Sequence, residues 1–378
     1  MGLNPSPSAA AAGAGIGIEA FELSAGTGDG QVWLDAASLS ARLGRQAAAT
    51  RAERYRLGDG YLEVRSADPG FGERLGMLYR ECRVVDDPAD DLPRVQCTVR
   101  TAEGESIGLV TVEDAEPLDL ADFILQVFPD RGYREVPCAA PGWRAVDLGN
   151  DDGGSVALRD NQMLFRSQDA WRALAGSVAV SRLIRLQRRL LFFHAASVGV
   201  AGSGLMLVGP KGAGKTTLSL ALAACGHAFL GDEIAGLRLG THELVPLRRS
   251  LAIRTGPRAE SVTRALERTA AAIEIYPDGS ERHRAQPAEL FQSGRPVAMP
   301  LKALVFLRGF AAVPSVERFE PGREHLLDLT PMGATLWGMS PARRAFDMLN
   351  LLSRARCYRM VLGGPEDSAA CVERMMED

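Results

Sequence analysis

The chain has little of what marks several functional classes. Its six cysteines form no CxxC pair and no metal-ligand spacing, which disfavours both a structural zinc site and a disulfide framework. It has no run of about 18 apolar residues, so we expect no transmembrane helix. Positive charge is not in excess either, because the formal net charge is -4. Nucleic acid and anionic membrane surfaces are therefore not expected as the main partner, since each requires a basic face.

The amino-terminal segment lacks the basic stretch and the unbroken apolar stretch of a secretory signal peptide, so we expect a cytoplasmic protein with reduced thiols. Residues 1–30 are rich in glycine, alanine and serine and show no hydrophobic period, which predicts a disordered tail. At 378 residues the chain is long for one domain, and two domains are expected after this tail.

Residues 31–165 carry short runs of alternating apolar and polar residues, which predict an amino-terminal α+β domain. No internal repeat of about 20 to 50 residues is visible, so a solenoid or a propeller is not supported. The predicted elements are a hairpin formed by 94–100 and 108–112 with its turn at 102–106, a helix near 117–128, and a hairpin formed by 155–158 and 163–165 with its turn at Asp160-Asn161.

Residues 168–190 place apolar side chains at helical spacing with arginines between them, which predicts an amphipathic helix at the start of a second domain, 166–378. These arginines form either a binding patch or a solvated helix face, and the solvated face is the expectation. They are Arg182, Arg185, Arg188 and Arg189.

A GxxxxGK[ST] motif begins at Gly209, between the apolar run Leu205–Val208 and an alanine-rich, helix-forming stretch. That placement is typical of a P-loop, in which backbone N–H groups and a helix N-terminus bind the phosphates of a nucleoside triphosphate. We predict that Lys215 contacts the β- and γ-phosphates of ATP and that Thr216 ligates Mg²⁺. The predicted nucleotide-binding residues are Gly209, Pro210, Lys211, Gly212, Ala213, Gly214, Lys215, Thr216 and Thr217.

Two acids, Asp232 and Glu233, follow a short apolar run soon after the motif. A carboxylate at the end of a strand beside a P-loop can complete the oxygen shell of Mg²⁺, so Asp232 is the candidate metal ligand together with Thr216. The early position of these acids and the lack of an LSGGQ-like signature disfavour an ABC-type ATPase. His194 opens a predicted strand upstream, and taken alone it is more simply a histidine of the core.

Three elements together resemble the HPr kinase/phosphorylase superfamily, and particularly its shorter relatives in bacterial peptide-modification clusters such as those of lasso peptides. They are His194-Ala195-Ala196, the GxxGxGKT run at Gly209–Thr216, and the block Gly226–Glu233. The resemblance covers about 150–378 and implies an α/β fold. It implies a P-loop HPr-kinase-like core, related to that of phosphoenolpyruvate carboxykinases, which follows the amino-terminal α+β domain in the chain. Its later elements are a strand at 302–307, a helix at 341–355, a late edge strand at 357–363 and a final helix at 366–377.

Carried over residue by residue, the resemblance implies that Lys215 contacts phosphate, that Thr216 holds the metal and that His194 supports the reacting centre. Asp232 aligns with the first acid of the family. Glu233 stands where the family usually has Asp, and it would be the general base on the acceptor hydroxyl. This replacement leaves open which of the two acids is the base and which holds the metal.

The chain also departs from the family pattern. The nearest counterpart of the EIRG-type segment of true HPr kinases keeps Arg254 but has Ala252 in place of the acid, which weakens the expectation of a reverse phosphorylase activity. Arg254 either stabilises charge on the transferring phosphoryl group or points into solvent. Gly214–Ser219 and Leu230–Glu233 resemble carboxykinase segments too, but no constellation for the distinct substrate and Mn²⁺ site of those enzymes is visible.

We therefore expect an ATP- and Mg²⁺-dependent kinase that transfers the γ-phosphoryl group to a serine or other hydroxyl of a peptide, protein or small molecule. The alternative is a non-catalytic ATP-binding sensor, in which residues 31–165 recognise a partner. The resemblance does not identify the acceptor. It also does not decide whether the chain forms a homo-oligomer, since true HPr kinases form hexamers and the shorter relatives need not.

Overall fold

A computed structural model describes residues 35–46, 51–85, 91–101, 107–148, 154–166, 170–254, 266–267, 269, 271–275, 281–291 and 296–377. Within these ranges the chain is a mixed α/β protein with three sheets. None of the helices in the described ranges is long and apolar enough to span a bilayer. The predicted tail at 1–30 and the predicted turn at 102–106 lie outside the described residues.

The amino-terminal half is built on a nine-stranded sheet. Its strands are β1 Glu53–Leu57, β2 Gly60–Ser66, β3 Arg83–Val84, β4 Arg94–Thr101, β5 Ile107–Glu113, β6 Arg134–Val136, β7 Arg144–Asp147, β8 Ser155–Arg159 and β9 Gln162–Arg166. They lie in the order β3-β1-β2-β4-β5-β9-β8-β7-β6. Both predicted hairpins are confirmed, because β4 pairs with β5 and β8 pairs with β9, each antiparallel. β2 and β4 run parallel, so the chain crosses over between them.

Four helices pack on this sheet in the described residues: α1 Ala36–Gly44, α2 Pro69–Leu78, α3 Leu120–Val127 and α4 Ala170–Leu186. α2 begins where the Asp68 carboxylate accepts a hydrogen bond from the Phe71 amide at 2.6 Å, with Pro69 at the first helical position. The helix predicted near 117–128 is confirmed as α3. The helix predicted at 168–190 is confirmed over α4 but ends earlier, because Leu190 belongs to the next strand.

The expectation of a solvated arginine face on α4 is wrong for Arg182. Its side chain is fully buried, and its guanidinium donates from Nε to Asp114 Oδ2 at 2.6 Å and from Nη2 to Asp114 Oδ1 at 3.0 Å. The rings of Phe123 and Trp337 lie over it. A bidentate carboxylate and two aromatic faces replace water around the guanidinium, which makes its burial tolerable. Arg188, by contrast, is mostly exposed.

The second sheet organises the rest of the chain. Its strands are β10 Leu190–Phe193, β11 Ala196–Val200, β12 Ser203–Val208, β13 Ala228–Gly231, β14 Ala235–Arg238, β15 Glu243–Val245, β19 Met299–Phe310, β20 Ser315–Phe319 and β21 Arg356–Leu362. The order is β10-β14-β15-β19-β12-β11-β13, with β21 beside β19 and β20 beside β21. The strand predicted at 357–363 as a late edge strand is therefore internal, because β20 pairs with it and takes the edge.

Helices cover this sheet on both faces. α5 Lys215–Ala224 and α9 Pro365–Glu377 pack together on one apolar cluster, and α8 Pro341–Arg354 packs on the other. The strand predicted at 302–307 and the helices predicted at 341–355 and 366–377 are confirmed by these elements. Further elements of the described residues are the three-stranded sheet β16 Leu251–Ile253, β18 Glu281–Ala285 and β17 Ala272–Ile275 and the short helices α6 Pro287–Leu290 and α7 Gly333–Leu336.

One hydrophobic core joins the two halves. It contains apolar side chains of the first sheet and of α2, α3 and α4, and it also contains Ile234, Leu247 and Met332 from the carboxyl-terminal half. These three side chains are almost fully buried. Burial of apolar surface is the main favourable contribution to folding, so each half depends on the other for part of its stability.

Candidate functional site

Strand pairing brings three predicted segments together at the same end of three neighbouring strands of the second sheet. β11 runs antiparallel to β12, with Ala196 opposite Leu207, and antiparallel to β13, with Ser197 opposite Gly231. The start of β11 therefore lies beside the ends of β12 and β13. His194 precedes β11, Gly209 follows β12, and Asp232 follows β13. Strand pairing alone therefore places these three residues at the same end of the strands.

The segment Gly209–Gly214 connects β12 to α5. Gly212 and Gly214 have backbone φ angles of +84° and +96°, in the left-handed region that side chains disfavour. A Cβ at Gly214 would also lie 2.4 Å from the Leu362 side chain, so a substitution there would be strained and would force Leu362 to move. Pro210, Lys211 and Gly212 are exposed at the tip of the loop, while Ala213 is buried beneath it.

Lys215 is the first residue of α5, and its side chain turns back over the loop. Its Nζ donates hydrogen bonds to the carbonyl oxygens of Gly209, at 2.7 Å, and Pro210, at 3.2 Å. Burial lowers the pKa of Lys215, and the nearby carboxylates of Asp232 and Glu233 oppose that shift. The ammonium group thus lies between the loop and the two acids.

Thr216 and Asp232 are in direct contact. The Thr216 hydroxyl donates to Asp232 Oδ2 at 2.7 Å. Asp232 is buried, and burial raises its pKa while the Thr216 hydrogen bond and Lys215 oppose the shift. The other carboxylate oxygen, Oδ1, is buried and has no hydrogen-bond partner among the described residues. One hydroxyl and one carboxylate therefore lie side by side beneath the first turn of α5.

Glu233 has different surroundings from its neighbour. Its backbone φ angle is +64°, a left-handed conformation that costs a residue with a Cβ about 1–2 kcal/mol. Its carboxylate oxygen Oε2 lies 2.9 Å from Nη1 of Arg249, whose side chain is 4% exposed, whereas the Glu233 side chain is 27% exposed. The strained turn after β13 therefore directs the two consecutive carboxylates to separate partners. The Asp232 carboxylate is buried, and the Glu233 carboxylate is reachable from solvent.

His194 lies between β10 and β11, after the first strand rather than at the start of the second. Its backbone amide donates to the Thr330 carbonyl at 2.8 Å. Burial, with the positive charges of Lys215, Arg249 and Lys211, lowers its pKa to about 4, and a backbone hydrogen bond with Glu233 opposes the shift. The imidazole is therefore neutral at pH 7. Its Nδ1 is buried and has no hydrogen-bond partner among the described residues.

The structure thus brings together Lys215, Thr216, Asp232, Glu233 and His194, which the sequence singled out. Arg254 is exposed at the end of β16. Sequence reasoning missed Arg249, because its contact with Glu233 depends on how the chain returns after β15. One signal was present: Arg248-Arg249 lie between two apolar residues, Leu247 and Leu251, where surface arginines are not expected.

Comparisons with known proteins add little to this geometry. No protein-family model matches the chain. No curated protein matches it either. Among solved structures, the chain has a likeness to the HPr(Ser) kinase/phosphatase from Coxiella burnetii, with 13% sequence identity and a TM-score of 0.26 over 50% of this chain and 99% of that chain.

Proposed function

We propose that the chain is a phosphotransferase that moves the γ-phosphoryl group of ATP to a hydroxyl group of a peptide, protein or small molecule. The observation that supports it most is that two adjacent acids have different partners and different exposure. Asp232 accepts a hydrogen bond from the Thr216 hydroxyl beside the glycine-rich loop, and Glu233 pairs with Arg249 in a more exposed position. A nucleotide-binding module without chemistry needs only the first of these acids.

The loop Gly209–Gly214 and the first turn of α5 form the proposed triphosphate site. Backbone N–H groups at a helix N-terminus carry partial positive charge and bind phosphate oxygens. The Lys215 ammonium, which lies over the loop carbonyls, would exchange those hydrogen bonds for the β- and γ-phosphates. Its mostly buried position strengthens that interaction, because fewer water molecules compete for the charge.

The residues around Asp232 fit Mg²⁺. The Asp232 Oδ1 atom is buried and without a partner among the described residues, and the Thr216 hydroxyl is in contact with Oδ2. The described residues hold no group of three or more histidine, cysteine, aspartate and glutamate side chains that could bind a metal by themselves. Mg²⁺ is commonly bound by one or two protein oxygens plus phosphates and water, and Thr216 and Asp232 offer two such oxygens. When bound, Mg²⁺ would neutralise charge on the β- and γ-phosphates.

Because Asp232 lies beside Thr216 and Glu233 is more exposed, we propose Glu233 as the general base. The acceptor hydroxyl gives its proton to the Glu233 carboxylate, and its oxygen forms a bond to the γ-phosphorus. The bond from the γ-phosphorus to the bridging oxygen breaks, and its electron pair leaves with ADP. His194 stays neutral, so it can hydrogen-bond at the reacting centre without adding a charge that would repel Lys215. In this proposal the phosphotransfer residues lie in 166–378.

Two isosteric variants test the assignment. Glu233→Gln should lower acceptor-dependent ADP formation by about 10²–10⁴-fold while ATP affinity is retained, because only proton removal is lost. Asp232→Asn should lower activity too, but with a higher Mg²⁺ requirement. Glu373→Gln, which changes a carboxylate paired with His227 outside the site, is the matched control and should be neutral.

The measurement is mass spectrometry of candidate acceptors after incubation with Mg-ATP, alongside an ADP assay. Wild-type activity in both Asp232→Asn and Glu233→Gln would refute the proposal. Tight ATP binding with no phosphorylated product across a broad acceptor panel would instead support the non-catalytic sensor.

A further inference from the structure

We propose that the amino-terminal half is part of the phosphotransfer site, because it holds Arg249 against Glu233, and that Glu81 is the positioning residue through which it does so. This inference rests on the function proposed above. It assigns a role to the first half of the chain, which carries none of the residues that the sequence analysis placed in the site.

The contact runs through a short segment, 246–250, which has neither helical nor strand structure and connects β15 to β16. Such a segment has no ladder or helical turn to fix it, so its position depends on contacts with its surroundings. On the site side, the Leu247 amide donates to the Leu230 carbonyl of β13 at 2.8 Å. This bond ties the segment to the strand that ends at Asp232 and Glu233.

On the opposite side the segment is held by the end of α2 and the 3₁₀ turn Arg80–Cys82 that follows it. The Ser250 amide donates to the Leu78 carbonyl at 2.8 Å, and the Cys82 thiol contacts the Arg248 carbonyl at 3.3 Å. Arg248 Nε lies 2.8 Å from Glu81 Oε2, and both side chains are largely buried. Three consecutive contacts of different kinds thus fix the backbone on either side of Arg249.

Adjacent arginines therefore serve opposite sides of the interface. Arg248 faces the amino-terminal half through Glu81, and Arg249 faces the site through Glu233. Arg249 also lies close enough to His194 and Asp232 for its charge to act on both groups. The buried Tyr79, on the amino-terminal side, is within electrostatic reach of both Arg249 and Glu233. The reacting centre is thus bounded by Lys215 on one side and by an arginine that the other half holds in place.

Glu233 needs such a partner because its backbone is in a left-handed conformation. A strained backbone conformation persists only where the surrounding structure holds it, and a displacement of about 1 Å at a reacting group can cost about 10²-fold in rate. Arg249 holds the carboxylate from one side, and the Glu233 side chain is still 27% exposed. Loosening the 246–250 segment should therefore misplace Glu233 without touching the loop that binds the triphosphate.

The test compares Glu81→Gln with Glu289→Gln. The first variant removes the charge that holds Arg248 but keeps an oxygen for the Ala288 amide, which Glu81 Oε1 binds at 2.7 Å. The second variant removes a carboxylate from the same interface, where Glu289 pairs with the exposed Arg80. Hydrogen exchange of the peptides that cover 246–250 and 231–234 is measured together with kcat and the KM for ATP.

We expect Glu81→Gln to speed exchange in both peptides and to lower kcat about tenfold, with the KM for ATP changed less than about twofold. Glu289→Gln should match the wild type. Arg249→Gln should lower kcat at least as much as Glu81→Gln and speed exchange only at 231–234, and Arg249→Lys should restore part of kcat. If Glu81→Gln does not fold, Arg248→Lys replaces it, because the positive charge stays while the shorter lysine side chain no longer reaches Glu81 as closely.

Faster exchange at 246–250 with wild-type exchange at 231–234 and wild-type kcat would overturn the inference, because the segment would then move without consequence for Glu233. The exchange measurement does not depend on turnover. If the wild-type protein phosphorylates no acceptor, the proposed function fails, while coupled exchange in the two peptides would still show that Glu81 positions the Glu233 turn.

Discussion

Two arginine–carboxylate pairs, one in each half of the molecule, show how the same chemistry serves different ends. The side chains of Arg182 and Asp114 are fully buried and meet through two hydrogen bonds, which join helix α4 to the residue that follows strand β5. Arg249 Nη1 lies 2.9 Å from Glu233 Oε2, with the carboxylate on a left-handed turn and partly exposed. The first pair has no exposed surface that a ligand could reach. The second keeps a carboxylate reachable, at a cost in backbone strain, which is the arrangement expected of a site rather than of a core.

The largest expected effect is on stability, at the first pair. Asp114→Ala leaves the Arg182 guanidinium buried without its main partner and should lower the free energy of unfolding by about 3–5 kcal/mol. Urea denaturation measures it. The double variant Arg182→Met/Asp114→Leu is the control and should unfold close to the wild type, because apolar side chains of similar volume replace both charges. A loss as large in the double variant would contradict a role as a charged pair.

The next largest effect is a pH dependence of stability, which arises from His194 beside the Arg249–Glu233 pair. Its folded pKa of about 4 lies below the ordinary value of 6.5, so between these values the unfolded chain binds a proton that the folded chain does not. Stability should therefore be full above pH 6.5 and fall as pH drops towards 4, by up to about 1.4 kcal/mol per pH unit. Urea denaturation of the wild type and His194→Gln from pH 4.5 to 7.5 isolates this contribution. Equal slopes in both proteins would show that the pKa of His194 is the same in the folded and the unfolded chain, which would contradict the lowered folded pKa.

The smallest effect separates backbone strain from charge at Glu233. Glu233→Ala and Glu233→Gly both delete the carboxylate, but only glycine adopts a φ angle of +64° without a steric penalty. The glycine variant should therefore be more stable than the alanine variant by about 1 kcal/mol. Thermal or urea unfolding of the two variants measures the difference. Equal stability would mean that the turn relaxes when the Arg249 contact is removed.

Sequence reasoning succeeded where the signal is local and failed where it depends on chain return. Alternation over 94–100 predicted β4 because each buried side chain is two residues from the next. The glycine positions predicted the loop before α5 because only glycine adopts its φ angles without strain. Arg182 was misjudged because a helical period shows only which face of the helix a residue lies on. It does not show that the Asp114 side chain, which follows strand β5, contacts that face. Arg249 was missed for the same reason, since nothing near it in the sequence indicates Glu233.

The hydrophobic core shared by the two halves has a consequence for calorimetry. Because Ile234, Leu247 and Met332 are packed among amino-terminal side chains, the two halves should melt in a single endotherm rather than in two. A nucleotide bound at the Gly209–Gly214 loop would raise the melting temperature of the whole chain, including a sheet that it never touches. The tryptophan fluorescence of Trp171, which is buried in the amino-terminal part of that core, would then report on occupancy of a loop in the other half.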